Sequence, residues 1–140
     1  MKPSEIFNNK NISNRDKFGT FVRNRRKELG ITLRDFALQL NISPAYVSDI
    51  ENGNRYAPVN YLEQVASILK IENDELYYFY DIAGCTHGNW PDINEYLAKN
   101  PSARKALRLA RDKNISEQQL VQFIEQLKPN QEEQYLEPEC

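Results

Sequence analysis

This chain has little of what enzymes and metal proteins are built on. Histidine and tryptophan each occur once, and cysteine twice, in 140 residues. Zinc takes about four ligands, and Cys85 with His87 is the sole Cys/His pair, so no metal is expected. Cys85 and Cys140 lie far apart in sequence, which fits free thiols in a reducing cytoplasm better than a disulfide framework. Cys85-Thr86-His87 are neighbours in an expected loop with no oxyanion feature, a poor start for a nucleophilic dyad. Asp74-Glu75 and Asp92 with Glu95 suit helix starts, where carboxylates meet the positive end of the dipole, rather than an acid/base pair. Neither a P-loop nor a GxGxxG pattern occurs. The expectation is therefore no catalytic residue, no cofactor and no enzyme.

Long apolar runs are also missing. No stretch approaches the ~20 residues of a membrane span, and the opening Met1-Lys2-Pro3-Ser4-Glu5 lacks the apolar core of a signal peptide. The expected location is cytoplasmic, with no membrane partner. There is no β alternation and no internal repeat, which leaves an all-α fold. The net charge of −2 hides an asymmetry. Residues 1–40 carry nine Lys/Arg against four Asp/Glu, a net of +5, whereas residues 41–80 are at −4 and 81–140 at −3. A basic block on an acidic body suits one face meeting phosphates; it also suits a solvated, arginine-rich helix.

What is present is helical periodicity and punctuation. Residues 1–14 are polar and read as a mobile arm. Residues 15–29 form a first helix with Phe18, Phe21, Val22 and Leu29 as its apolar stripe; Arg23, Arg25 and Lys27 point mostly away from it. Thr32 and Asp35 have capping-box spacing at the start of a second helix that ends near Asn41. Ser43 is a good N-cap and Pro44 a good first residue for a third, which Gly53 stops. Leu62, Val65, Ala66 and Leu69 define a fourth, running from Val59. Asn73-Asp74-Glu75 looks like the capped start of a fifth, closed by Gly84. Its run Tyr77–Tyr80 has too many aromatics for one buried face.

Two short helices joined by a tight turn, from Thr32 to Gly53, organise the rest. Ala37 must be small where two helices cross, Asn41 tolerates a left-handed backbone, and Val47 and Ile50 anchor the later helix so that its other face points outward. Five helices with this turn between the second and third have the layout of a helix-turn-helix domain. From Arg15 to Leu76 the chain resembles the phage-repressor type, the Cro/CI (Xre) family. The matching pieces include Arg26-Lys27-Glu28-Leu29-Gly30-Ile31-Thr32, Phe36-Ala37, Ile42-Ser43, Tyr46-Val47-Ser48 and Ile50-Glu51-Asn52-Gly53.

That resemblance implies a five-helix DNA-binding domain over 15–84 and a transcriptional regulator, of repressor type, on double-stranded DNA. Pro44, Ala45 and Asp49 would face base edges. Pro44 and Ala45 can offer only apolar contact, and Asp49 can accept from cytosine N4. Ser43, Tyr46, Ser48, Asn52 and Arg55 would sit near edges or phosphates. Thr32 would offer its hydroxyl and backbone N–H to a phosphate, with Arg23 and Arg25 as longer-range candidates. Arg26 and Glu51 match a buried ion pair of similar repressors and are structural.

After the boundary at Cys85–Pro91, residues 92–128 read as a small helical C-terminal extension. Asn100-Pro101 starts one helix and Ser116 with Gln119 forms another capping box. The apolar faces here make a thin core, which points to homodimerisation. The alternative is a protein-interaction or antitoxin-like module whose helices bind a partner protein. Residues 129–140 read as a disordered acidic tail.

Overall fold

The computed structural model describes residues 13–128. Among these the chain is helical with no strand, and no helix is long and apolar enough to cross a membrane. The described residues fall into two compact units, one running to Pro91 and the other starting at Asp92. Most of the expected arm, residues 1–12, and the expected tail, 129–140, lie outside the described residues.

The first unit contains α1 (Asn14–Glu28), α2 (Leu33–Leu40), α3 (Pro44–Glu51), a 3₁₀ turn (Val59–Tyr61) leading into α4 (Leu62–Ile68), and α5 (Asp74–His87). Phe18, Phe21 and Val22 of α1 are buried against the others. Gly19 is buried with them: a Cβ there would stand under 3.0 Å from the carbonyl oxygens of Ile50 and Glu51. Its low helix propensity, about 1 kcal/mol below Ala, is offset by the close approach of α1 to the end of α3.

Helix α5 closes the core over α1. Phe79 is fully buried, with its ring 5.5 Å from Phe18 and 6.1 Å from Phe21. Tyr78 is buried beside Phe21 at 5.5 Å, while Tyr77 is exposed. The aromatic run thus divides between core and surface. Burial pushes the Tyr78 phenol well above its ordinary pKa.

Three expectations for this region are corrected. Gly84 does not close α5, which continues through Cys85 and Thr86 to His87 and ends at Gly88 with φ 67°. Gly84 instead makes room for Trp90: a Cβ at Gly84 would lie 2.6 Å from the indole ring, whose N–H donates to Asp81 Oδ1 at 2.8 Å. Asn73 does not cap α5 with its side chain; its backbone turns left-handed, φ 57°. Cys85 is disulfide-bonded rather than a free thiol. Cys140 lies outside the described residues.

The second unit contains α6 (Pro91–Lys99), α7 (Pro101–Asp112) and α8 (Glu117–Leu127). Pro101 opens α7 after Asn100, and Ser116 and Gln119 cap α8 reciprocally. Arg104 donates to the carbonyls of Leu97 and Ala98 at 2.6 and 3.0 Å, satisfying the end of α6. None of α6, α7 and α8 has a buried residue. Leu107, Phe123 and Leu127 are each more than half exposed, at 54%, 57% and 66%.

A candidate nucleic-acid interface

Helices α2 and α3 meet through a three-residue turn fixed by local chemistry. Asn41 takes the left-handed conformation, φ 56° and ψ 42°, that ends α2. Ser43 Oγ accepts from the Tyr46 N–H at 3.1 Å, and Pro44 supplies a first turn with one fewer orphan donor. Thr32 Oγ1 accepts from the Asp35 N–H at 3.1 Å at the start of α2. Both hydroxyls act as acceptors in these caps, which leaves each O–H able to donate outward. Ala37, Val47 and Ile50 are buried, so α3 is held by its inner face. Gly53, φ 78°, turns the chain away after it.

Glu51 anchors α3 from beneath. Arg26 Nε donates to Glu51 Oε2 at 3.0 Å and Arg26 Nη2 to Oε1 at 2.8 Å, while Nη1 donates to the Ile31 carbonyl at 2.8 Å. One guanidinium therefore ties α1, the α1–α2 turn and the end of α3 together, and Glu51 Oε1 also stands 3.5 Å from Arg23 Nε.

The outer side of α3 and its flanks carry the remaining candidates. Ser43, Pro44, Ala45, Asn52, Arg55 and Thr32 are exposed, and Tyr46, Ser48, Asp49 and Arg23 are partly so. They form two groups. Arg23 donates to Asn52 Oδ1, and Asn52 Nδ2 donates to Ser48 Oγ at 3.2 Å. Arg55 lies 4.5 Å above the Tyr46 ring, with its Nε 3.4 Å from Asp49 Oδ2. The Asp49 charge, unfavourable to phosphate when alone, is thus met by a cation held over an aromatic face. Sequence spacing hides this pair, because six residues on a helix and its following loop have no fixed geometry.

Arg25 is a correction. Its Nε and Nη2 donate to the carbonyls of Leu69 and Lys70, both at 2.9 Å, and its Nη2 also stands 3.2 Å from Glu75 Oε2. It caps the C-terminal end of α4 and ties it to α5, so its donors are spent inside the scaffold rather than held out for a phosphate. The sequence did not place Arg15, Tyr56 and His87 at this surface. Arg15 sits 5.1 Å over the Tyr56 ring, and Tyr56 is 5.0 Å from the His87 ring, beside Arg55 and Tyr46. The adjacent Arg55-Tyr56 pair was a signal for it; Arg15 and His87, far away in sequence, were not.

No group of His, Cys, Asp and Glu that could hold a metal ion occurs among the described residues.

An α2–turn–α3 unit that buries one face of α3 and presents the other defines a helix-turn-helix protein. A helix-turn-helix family model matches residues 22–76. The chain is 37% identical to the uncharacterized HTH-type transcriptional regulator YazB of Bacillus subtilis over 59 residues, covering 42% of this chain and 86% of YazB. It is 30% identical over 59 residues to the uncharacterized HTH-type transcriptional regulator Rv0474 of Mycobacterium tuberculosis, covering 42% of each chain. The chain belongs to the helix-turn-helix family of Cro/CI (Xre) type. It spans only about two fifths of the length of the mycobacterial relatives it matches. No solved structure matches it significantly.

Proposed function

We propose that this protein is a sequence-specific DNA-binding transcriptional regulator that represses by occupying an operator as a dimer. The observation that supports this most is the outer side of α3: polar, flanked by Arg23 and Arg55, on a helix whose inner side is locked by Val47, Ile50 and the Arg26–Glu51 pair. In this reading α3 enters the major groove. Ser43, Tyr46, Ser48, Asn52 and Arg55 meet base edges or backbone, Asp49 reads cytosine, Pro44 and Ala45 touch thymine methyls, and Thr32 and Arg23 hold phosphates. The domain over 15–84 is the DNA-binding part, and 92–128 joins two copies so that two half-sites about 34 Å apart are read together.

The dimer is supported by the unburied apolar side chains of α7 and α8 and by their charges. Helix α7 carries a net +3, from Arg104, Lys105, Arg108 and Arg111 against Asp112. Helix α8 carries −2, from Glu117 and Glu125. Two copies can lay one α7 on the other's α8 with opposite charges apposed. The same exposed face favours a second reading, in which a different protein docks on 92–128 as on an antitoxin-like module.

Fluorescence anisotropy with duplexes from upstream of the protein's own gene tests the DNA reading. Affinity should fall steeply with salt and weaken in Tyr46→Ala/Ser48→Ala while the circular dichroism spectrum stays unchanged. Unaltered binding in that variant removes α3 from the interface. Sedimentation equilibrium separates the two readings of 92–128: a dimer supports self-association, and a monomer at all concentrations leaves the protein-partner reading.

A further inference from the structure

Next to the outer side of α3 lies a cleft of about 410 Å³. Its rim joins the first turn of α1 (Arg15), α3 (Tyr46), the loop over residues 54–61 and the last turn of α5 (His87). The loop is pinned rather than loose. The Ala57 N–H donates to Thr86 Oγ1 at 3.3 Å, and Thr86 Oγ1 donates to the Ala83 carbonyl at 2.7 Å. His87 Nε2 stands 2.5 Å from the Ala57 carbonyl oxygen. A carbonyl can only accept, so Nε2 is the donor in this contact.

No Asp or Glu lines the cleft; Asp49, beside it, takes the Nε of Arg55 at 3.4 Å, and the Nη groups of Arg55 make no hydrogen bond among the described residues. Two guanidiniums, Arg15 and Arg55, and the amides of Asn54 and Asn60 supply donors; Tyr46 and Tyr56 supply aromatic surface, each with one face under an arginine. Arg15 touches the Tyr56 ring but makes no hydrogen bond or ion pair among the described residues, so its N–H groups are open to a ligand. The size falls within the roughly 300–1,000 Å³ of small-molecule pockets, larger than one phosphate requires.

We propose that this cleft binds a small anion carrying a planar ring, of the size and chemistry of a nucleoside monophosphate. Its phosphate is gripped by Arg15 and Arg55, and its ring stacks among Tyr46 and Tyr56. Tyr46 and Arg55 also belong to the side of α3 assigned to DNA, so ligand and duplex exclude one another. That exclusion rests on the DNA reading; the binding itself does not.

Calorimetric titration of the full chain with AMP, and separately with inorganic phosphate, tests the site without DNA. Saturable AMP binding, tighter than phosphate, is expected. It should weaken about tenfold in Arg15→Ala and in Tyr56→Ala, with folding checked by circular dichroism. Arg15→Lys should recover part of the loss, since a charge without the fork remains. No saturable binding at millimolar AMP, equal binding of phosphate and AMP, or undiminished binding in both alanine variants overturns the proposal. The second arm adds AMP to a labelled duplex complex. Duplex binding that AMP neither displaces nor accompanies in isolation assigns the cleft to DNA phosphate and rejects the ligand. AMP binding to a protein that binds no duplex keeps the site and rejects the DNA reading instead.

Discussion

Arg26 and Glu51 face each other through hydrogen bonds of 2.8 and 3.0 Å, and only 7% and 2% of their surfaces reach solvent. The pair fixes the angle at which α3 leaves the core. Removing Glu51 leaves the Arg26 charge buried without its partner, which costs about 3–5 kcal/mol, whereas exchanging both for apolar residues of similar volume costs much less. Glu51→Ala should therefore lower the denaturation midpoint far more than Arg26→Met/Glu51→Leu does, as measured by urea unfolding. Equal losses would mean the pair holds nothing that packing does not.

Gly19 should resist even a methyl group. Gly19→Ala gains helix propensity but sets a carbon under 3.0 Å from two carbonyl oxygens at the end of α3. Overpacking of this kind costs about 1–3 kcal/mol, so the net effect is a lower thermal midpoint by differential scanning calorimetry. A stabilised Gly19→Ala protein would show that α1 and α3 do not approach this closely in solution.

The two neighbouring arginines of α1 should separate in their effects. Arg23→Ala should reduce the slope of log K against log salt for DNA by about one, the signature of one lost phosphate contact. Arg25→Ala should leave that slope unchanged and instead lower unfolding stability, because its donors serve Leu69, Lys70 and Glu75. A salt slope that moves with Arg25 and not with Arg23 would reverse the assignment.

Tyr78 makes stability fall at alkaline pH. Its folded pKa is raised by burial above the ordinary 10.0. The folded state thus holds its proton more tightly than the unfolded chain. The contribution is complete below about pH 10 and is lost above it, by up to about 1.4 kcal/mol per pH unit. Tyr78→Phe should flatten that alkaline limb in urea midpoints measured across pH 9–11. A limb unchanged by the substitution would point to other groups.

What the sequence made legible is what local chemistry decides. Thr32, Ser43 and Ser116 cap helices through bonds to a residue three positions on. Asn41 and Gly53 adopt positive φ because few other residues do so at small cost. The core stripe of α4 follows from periodicity. Non-local contacts were illegible. Gly84 reads as a helix stop, yet it is there for the Trp90 ring; Gly19 reads only as a weak point within α1, yet it makes room for the end of α3. Arg25 looks like an outward charge on a helical wheel; only the position of the α4 C-terminus, given by the fold, turns it into a clamp. Of the α3 surface, the sequence named the side chains but not their grouping. The Asp49–Arg55–Tyr46 cluster depends on how the loop after Gly53 folds back.

The absence of any buried residue in α6, α7 and α8 bears on how this unit melts. Helices with an apolar face and no core draw stability from whatever covers that face, and a cover from another molecule enters by mass action. If the cover is a second copy, as proposed, the midpoint of this unit climbs with protein concentration, while that of the five-helix unit, with Phe18 and Phe79 closed inside it, stays where it is.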